Sequence, residues 1–152
     1  MSNLKIYVKS ILIPLILGAI VGFITYQFID YNSLEQPPLS PPSVLFPIVW
    51  SILYTLMGVS YGILKSNGLV SPEINLIYYL QLAVNLLWPI AFFVLEWRLF
   101  AFIWLLLLII LVIIMIFKFY NQNKLAGLLQ IPYLIWCIFA AYLNFGVYYL
   151  NR

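Results

Sequence analysis

An all-α integral membrane bundle of five transmembrane helices is the fold this sequence predicts. Three observations carry that expectation. First, 66% of the 152 residues are hydrophobic and only 7% are charged. A soluble domain carries roughly 25% charged residues, so this chain lacks the polar groups to cover a surface facing water. Second, residues 99–117 (LFAFIWLLLLIILVIIMIF) run for 19 positions without a charge, and about 20 such residues span a bilayer core. Third, apolar segments recur at 6–28, 41–64, 73–95, 99–119 and 124–149. In lipid each must be helical, because unpaired backbone groups cannot be left in hydrocarbon. The chain is expected to form one domain over residues 1–152.

The first segment follows Lys5 and Lys9 and continues past Tyr26. No small-residue cleavage site interrupts it, so it reads as a helix and not as a cleaved leader. Within it, Gly18-Ala-Ile-Val-Gly22 is a GxxxG that permits close helix contact. Packing within the chain is its expected use, with dimerisation as the alternative. The second segment is introduced by a proline-rich connection, 29–40, that holds two of the four acids. Ser40 is expected to cap this helix, with Pro41 at its first position. Pro37, Pro38, Pro41 and Pro42 stiffen the connection. Ser71-Pro72-Glu73 repeats the capping device for the third segment and adds an acid that suits the helix dipole. Pro47 and Pro89 are expected to loosen local helix bonding. The fourth segment is apolar all round, as expected of a helix facing lipid or a dimer partner.

Basic residues set the expected orientation. Lys5, Lys9, Lys65, Lys118 and Lys124 fall on the N-terminal side of the membrane, and Arg98 and Arg152 on the other. The positive-inside rule then places the N-terminus in the cytoplasm and the C-terminus outside. The expected location is a bacterial cell membrane, crossed several times. The net charge of +3 fits flanking lysines and is no argument for nucleic acid.

The chain has no histidine, one cysteine and four acids, Asp30, Glu35, Glu73 and Glu96, all at predicted membrane edges. The commonest metal ligand and general base is therefore missing. A zinc site or hydrolase triad is not expected, nor is a resident metal or cofactor. Cys137 in an apolar helix reads as packing.

Helical spacing then gathers the polar and aromatic residues. Trp50, Tyr54, Met57 and Tyr61 share one face of the second helix. Gln81, Asn85, Trp88 and Phe92 share a face of the third, and Tyr133, Trp136, Ala140 and Asn144 a face of the fifth. Amides inside a membrane need partners. Each could simply bond a neighbouring helix, a contact worth about 0.6 kcal/mol on average. Three stripes of indole, phenol and amide beside small residues have a pocket's composition: mostly apolar walls with a few convergent polar groups. Such a pocket suits a flat hydrophobic ligand that stacks on tryptophan and tyrosine. The prolines before Trp50 would lie over its outer end. Near the C-terminus, Leu143, Tyr148 and Arg152 fit the proposed cholesterol pattern. An interfacial belt is the simpler reading of Tyr148, Tyr149 and Arg152.

Three stretches make a resemblance specific: PPLSPPSVLFPIVWSILYTLMGVSYG, QLAVNLLWPIAFF and IPYLIWCIFAAYLNFGVYYLN. They resemble, in order and spacing, the signature segments of the TspO/MBR family, the tryptophan-rich sensory and translocator proteins. The likeness covers roughly residues 31–151; the first helix matches loosely. It implies a five-helix bundle, usually a homodimer. It implies binding of porphyrins such as protoporphyrin IX, of sterols in some members, and of synthetic benzodiazepine-site ligands. The family's pocket positions fall on Tyr31, Pro41, Trp50, Asn85, Trp136, Ala140 and Leu143, beside Tyr54 and Trp88 from the stripes. Trp50 and Trp136 match two tryptophans tied to light-dependent porphyrin breakdown in some bacterial members. Leu39 departs from an aromatic residue that many members carry between the prolines, and Trp104 from an acid in the fourth helix. Glu96, Trp97 and Arg98 give an unusually tight turn.

Two functions follow as expectations. One is a membrane protein that senses, scavenges or moves porphyrin-like molecules. The other is an enzyme that degrades porphyrin using light and oxygen, with Trp50 and Trp136 as its catalytic indoles. A plain transporter fits less well, because no inverted repeat or matching pair of broken helices is visible.

Overall fold

The computed structural model describes residues 3–29 and 33–152. Tyr31, one of the expected pocket positions, lies outside the described residues. The helices are α1 (Asn3–Tyr26), α2 (Leu45–Ser66), α3 (Pro72–Pro89), α4 (Arg98–Gln122), α5 (Lys124–Leu128) and α6 (Ile131–Leu150). A π-helical turn, Ile90–Val94, prolongs α3. Counted as spans, α5 and α6 act together, and five helical stretches are long and apolar enough to cross a membrane. The five-helix membrane bundle read from the sequence is therefore the fold among the described residues.

The start of α2 corrects an expectation. The helix begins at Leu45, and its N-cap, Val44, makes no side-chain capping bond. Ser40 does not cap it; its hydroxyl donates instead to the Pro37 carbonyl at 2.7 Å. The reason is local sterics. A residue that precedes proline is pushed out of the α region, and both Ser40 and Pro41 precede one. Helix can start only after Pro42, where turns bring the Leu45 and Phe46 amides onto the Pro42 and Ser43 carbonyls. Ser71 behaves as expected and accepts from the Ile74 amide at 3.2 Å, with Pro72 in the first turn.

Pro89 has no N–H to continue α3, and the chain relaxes into the π turn that follows. The Leu95 amide closes it on the Ile90 carbonyl at 2.9 Å. Glu96 then adopts a left-handed backbone, φ 57°, and the Trp97 amide reaches back to the Ala91 carbonyl at 3.0 Å. This is a left-handed C-terminal cap built on glutamate where glycine is usual, widened by the π turn before it. It accounts for the tight turn into α4.

The fourth helix faces outward over much of its surface, as expected, and adds a buried face. It buries a clear stripe, Ala101, Leu105, Leu108, Val112, Met115 and Phe119, at the alternating spacing of four and three that packs helices side by side. Through it α4 meets α3, α5 and α6. Its other faces are exposed, including Ile103, Ile110 and Phe117. A helix whose charged and amide residues lie only at its ends offers no contrast along its span from which a buried face can be read.

The first helix packs chiefly on α2, and glycine on α2 permits it. A Cβ added at Gly58 would lie 2.4 Å from the Ile11 Cα and 2.5 Å from the Ser10 carbonyl oxygen, too close for any side chain. At Gly62 the obstacle would be the Tyr7 ring, 2.7 Å away. The rest of α1 is sparsely covered, with only Ser10, Pro14 and Thr25 buried.

Candidate functional site

A cavity of about 730 Å³ lies inside the bundle toward the end where α1 finishes and α2 begins. That is within the 300–1,000 Å³ usual for small-molecule sites. Its walls come from four spans. From α2 come Phe46, Pro47, Trp50, Ser51 and Tyr54. From α3 and its π turn come Asn85, Trp88, Phe92 and Phe93. From α6 come Trp136, Ala140, Leu143, Asn144 and Val147. The fourth wall is α1, through residues such as Leu15, Gly18, Gly22 and Thr25.

The structure therefore brings together Trp50, Tyr54, Asn85, Trp88, Trp136, Ala140 and Leu143 around one space. Pro41 is not part of the lining. It sits in the connection ahead of α2, because helix starts only at Leu45. Leu39 is also elsewhere: it is 83% exposed, with a left-handed backbone at φ 72°. The loop thus supplies no aromatic face at that position.

The aromatic walls are fixed by mutual contacts. Trp50 stacks on Tyr54 at 5.6 Å between ring centroids and meets Tyr133 edge-on at 6.3 Å. Phe46 meets Trp136 edge-on at 5.9 Å. Trp88 stacks on Phe92 at 5.1 Å. These distances lie in the 4.5–7 Å range of favourable ring pairs, so each indole is held by a second ring.

Below this chamber the stripe residues form a hydrogen-bonded floor. Tyr54 donates to Asn85 Oδ1 at 2.6 Å, and Asn85 Nδ2 donates to the Tyr133 hydroxyl at 2.7 Å. Tyr133 donates to Gln81 Oε1 at 2.8 Å, and Gln81 Nε2 donates to the Tyr78 carbonyl at 2.8 Å. Every donor in this chain points the same way, and all of these residues are buried. Gln81 and Tyr133 support the floor from outside the chamber. At the other end Trp88 Nε1 donates to Asn144 Oδ1 at 2.9 Å, and Asn144 Nδ2 donates to the Arg98 carbonyl at 2.8 Å. All three membrane amides named by helical spacing are thus satisfied, which a bilayer interior demands. Among the described residues, the buried Trp136 Nε1 has no such partner.

Trp104 donates from Nε1 to the Val84 carbonyl at 2.8 Å. Its indole ties α4 to α3 and stays out of the chamber. Cys137 is fully buried in the core, as its apolar helix suggested. At the chain end the Arg152 guanidinium lies 4.3 Å over the Tyr149 ring, and Tyr149 is exposed.

The wall that sequence reasoning missed is α1. Its residues are almost uniformly apolar, and the stripes were sought by polar and aromatic contrast. The available signal was Gly18 and Gly22, both of which line the cavity. They were read as a packing motif.

Comparison with known proteins agrees with this architecture. The chain is 38% identical over 154 residues to the "Tryptophan-rich protein TspO" of Archaeoglobus fulgidus, covering 99% of each. It is 35% identical over 141 residues to the "Translocator protein" of Ovis aries, covering 86% of this chain and 83% of the sheep protein. It is 33% identical over 122 residues to the "Tryptophan-rich sensory protein" of Cereibacter sphaeroides, covering 80% and 76%. The sequence profile described as the TspO/MBR family matches residues 10–150. A five-span membrane bundle with this match across nearly its whole length belongs to the TspO/MBR family.

Proposed function

We propose that this membrane protein binds porphyrins of the protoporphyrin IX kind, and related flat hydrophobic molecules, in the chamber between its helices. The role served is sensing, scavenging or transport. The observation that carries the reading is the chamber itself, about 730 Å³, walled by three tryptophans and floored by a satisfied polar chain. Broad ring faces at several angles favour a large planar guest, and apolar walls favour one drawn from lipid. The names of the relatives, sensory protein and translocator protein, support the role. Protoporphyrin IX added to the protein in liposomes is expected to quench tryptophan emission saturably, at one equivalent per chain. Quenching that rises linearly with dose and never saturates would remove the reading.

A second reading has one observation in its favour. Trp50 and Trp136 line the same chamber, so a light-excited guest there would have oxidisable indoles within reach. Degradation of bound porphyrin in light and oxygen then becomes a possible activity, tested in the Discussion.

The orientation proposed is N-terminus inside, from five lysines against two arginines. Reporters fused at the two ends should give opposite signals, with the N-terminal one cytoplasmic; matching signals would overturn it. A homodimer is the expected assembly, and the exposed apolar face of α4 would suit a second copy as well as lipid.

A further inference from the structure

Access to the chamber depends on which of its lining residues also face outward. On α6, Ala140, Leu143, Asn144 and Val147 are buried, as are Tyr54 and Asn85 at the floor. The exposed lining comes from α1, from Ile29 just after it, and from the first turns of α2. Ile16, Ala19, Gly22 and Tyr26 on α1 are exposed, as is Ile29 just after it, and so are Pro47 and Ser51 on α2. Gly22 stands one turn beyond Gly18, whose edge meets Tyr54 of α2, and Ser51 and Pro47 stand on that same side of α2, one and two turns before Tyr54. The chamber therefore opens sideways, between α1 and α2.

Gly18 and Gly22 divide the work. A Cβ at Gly18 would lie 2.5 Å from the Tyr54 ring, so this glycine is a contact point. A Cβ at Gly22 would meet nothing within 4 Å. Close packing does not require a glycine there, since the space beside it is open. At 1.5 Å per residue, Gly22 lies about 6 Å and the Gly18 contact about 12 Å inside the Tyr26 end of α1. The opening therefore lies within one leaflet, between the Tyr26 end of α1 and the Gly18–Tyr54 contact.

The top of the chamber is less free. The connection ahead of α2 is tied to α6, the helix that forms the opposite wall. Asn151 Nδ2 donates to the Glu35 carbonyl at 2.8 Å, and the Glu35 amide donates back to Asn151 Oδ1 at 3.1 Å. Tyr142 donates to the Pro38 carbonyl at 2.6 Å. Pro37 is buried against Gly146, where an added Cβ would lie 2.4 Å from its ring. A guest passing over this segment would have to part these contacts; one passing beside Gly22 parts none of them.

We propose that flat hydrophobic molecules reach the chamber sideways out of the adjoining lipid leaflet, through a portal between α1 and α2 that Gly22 leaves open. The inference rests on the binding reading above. The guest is one already dissolved in the bilayer, because the portal faces hydrocarbon along its length. The Ser51 hydroxyl at its edge is spent on the Pro47 carbonyl at 2.7 Å, so the rim is apolar.

The test is a size series, Gly22→Ala, Gly22→Leu and Gly22→Trp, in liposomes preloaded with guest and read by stopped-flow quenching of tryptophan. Open space beside Gly22 allows each variant to fold, which circular dichroism checks. Two guests are used in separate runs: protoporphyrin IX, and pyrene as a neutral flat aromatic. Association and dissociation should slow together in the order of side-chain size, by at least tenfold for Gly22→Trp. Loosening the top with Asn151→Ala should leave both rates near those of the parent. Unchanged rates in Gly22→Trp, or faster admission in Asn151→Ala, would overturn the portal. If protoporphyrin alone fails to quench the parent protein saturably, the functional reading falls, and the pyrene runs still decide the portal.

Discussion

Replacing both Trp50 and Trp136 with alanine is expected to abolish porphyrin binding, while either single phenylalanine variant keeps most of it. Both indoles line the chamber, from α2 and α6. A tryptophan contributes roughly 150–250 Å² of contact surface, so the double change removes two walls at once. Phenylalanine retains an aromatic face at each site. Ring stacking contributes about 0.5–1.5 kcal/mol beyond area burial, so a single Phe variant should lose at most about tenfold in affinity. Trp136→Phe is the cleaner of the two, because the Trp136 N–H has no partner within the described structure. The same variants separate a binder from a photochemical enzyme. Phenylalanine is much harder to oxidise than tryptophan, so an enzyme should lose light-dependent product while its affinity survives. Absorption spectra of illuminated and dark samples, together with binding isotherms, make the distinction. A folded double-alanine protein that binds porphyrin unchanged would place the site elsewhere.

The second large effect is expected at the chamber floor. Asn85→Ala removes the acceptor of the Tyr54 hydroxyl and the donor to Tyr133 in one step. Two magnitudes compete. If the contacts were ordinary transmembrane hydrogen bonds, two of them at about 0.6 kcal/mol each would set the loss. If the chain acts as a satisfied unit, a buried hydroxyl left orphaned costs about 1–3 kcal/mol by itself. Tyr54 is 8% exposed and Tyr133 1% exposed, so neither can turn to water, and the larger figure should apply. Thermal unfolding in detergent would read the loss. Adding Tyr54→Phe to Asn85→Ala removes the orphaned hydroxyl and should restore part of the stability. A Tyr54→Phe change that merely adds its own loss to that of Asn85→Ala would show the bonds to be independent.

The span count and the inward-facing stripes were legible in the sequence because lipid simplifies the code. A bilayer forces helix wherever the chain is apolar, and it makes each amide and indole conspicuous. Helical spacing therefore located Trp50, Tyr54, Asn85, Trp88, Trp136 and Ala140 before any coordinates. Where contrast was absent, the sequence was silent. The buried stripe of α4 and the chamber wall of α1 consist of apolar residues that look alike whether they face protein or hydrocarbon.

The start of α2 was misplaced for a different reason. A serine before proline is a good capping signal taken alone, but the second proline at Pro42 makes Pro41 itself a poor helical residue. The cost falls on the position before, which a motif read forwards does not weigh.

What the sequence alone determined is the membrane as solvent, the number of spans, and the set of residues that cannot face lipid. Tertiary structure alone decided how those residues meet. It set the common direction of the chain from Tyr54 to Tyr78, and it tied the proline-rich connection to Asn151. It also made Gly18 a contact and Gly22 a gap, although the two occupy equivalent places in one motif. Close approach depends on what stands opposite. Across from Gly18 that is the ring of Tyr54, on a helix 36 residues further along the chain, and across from Gly22 there is open space.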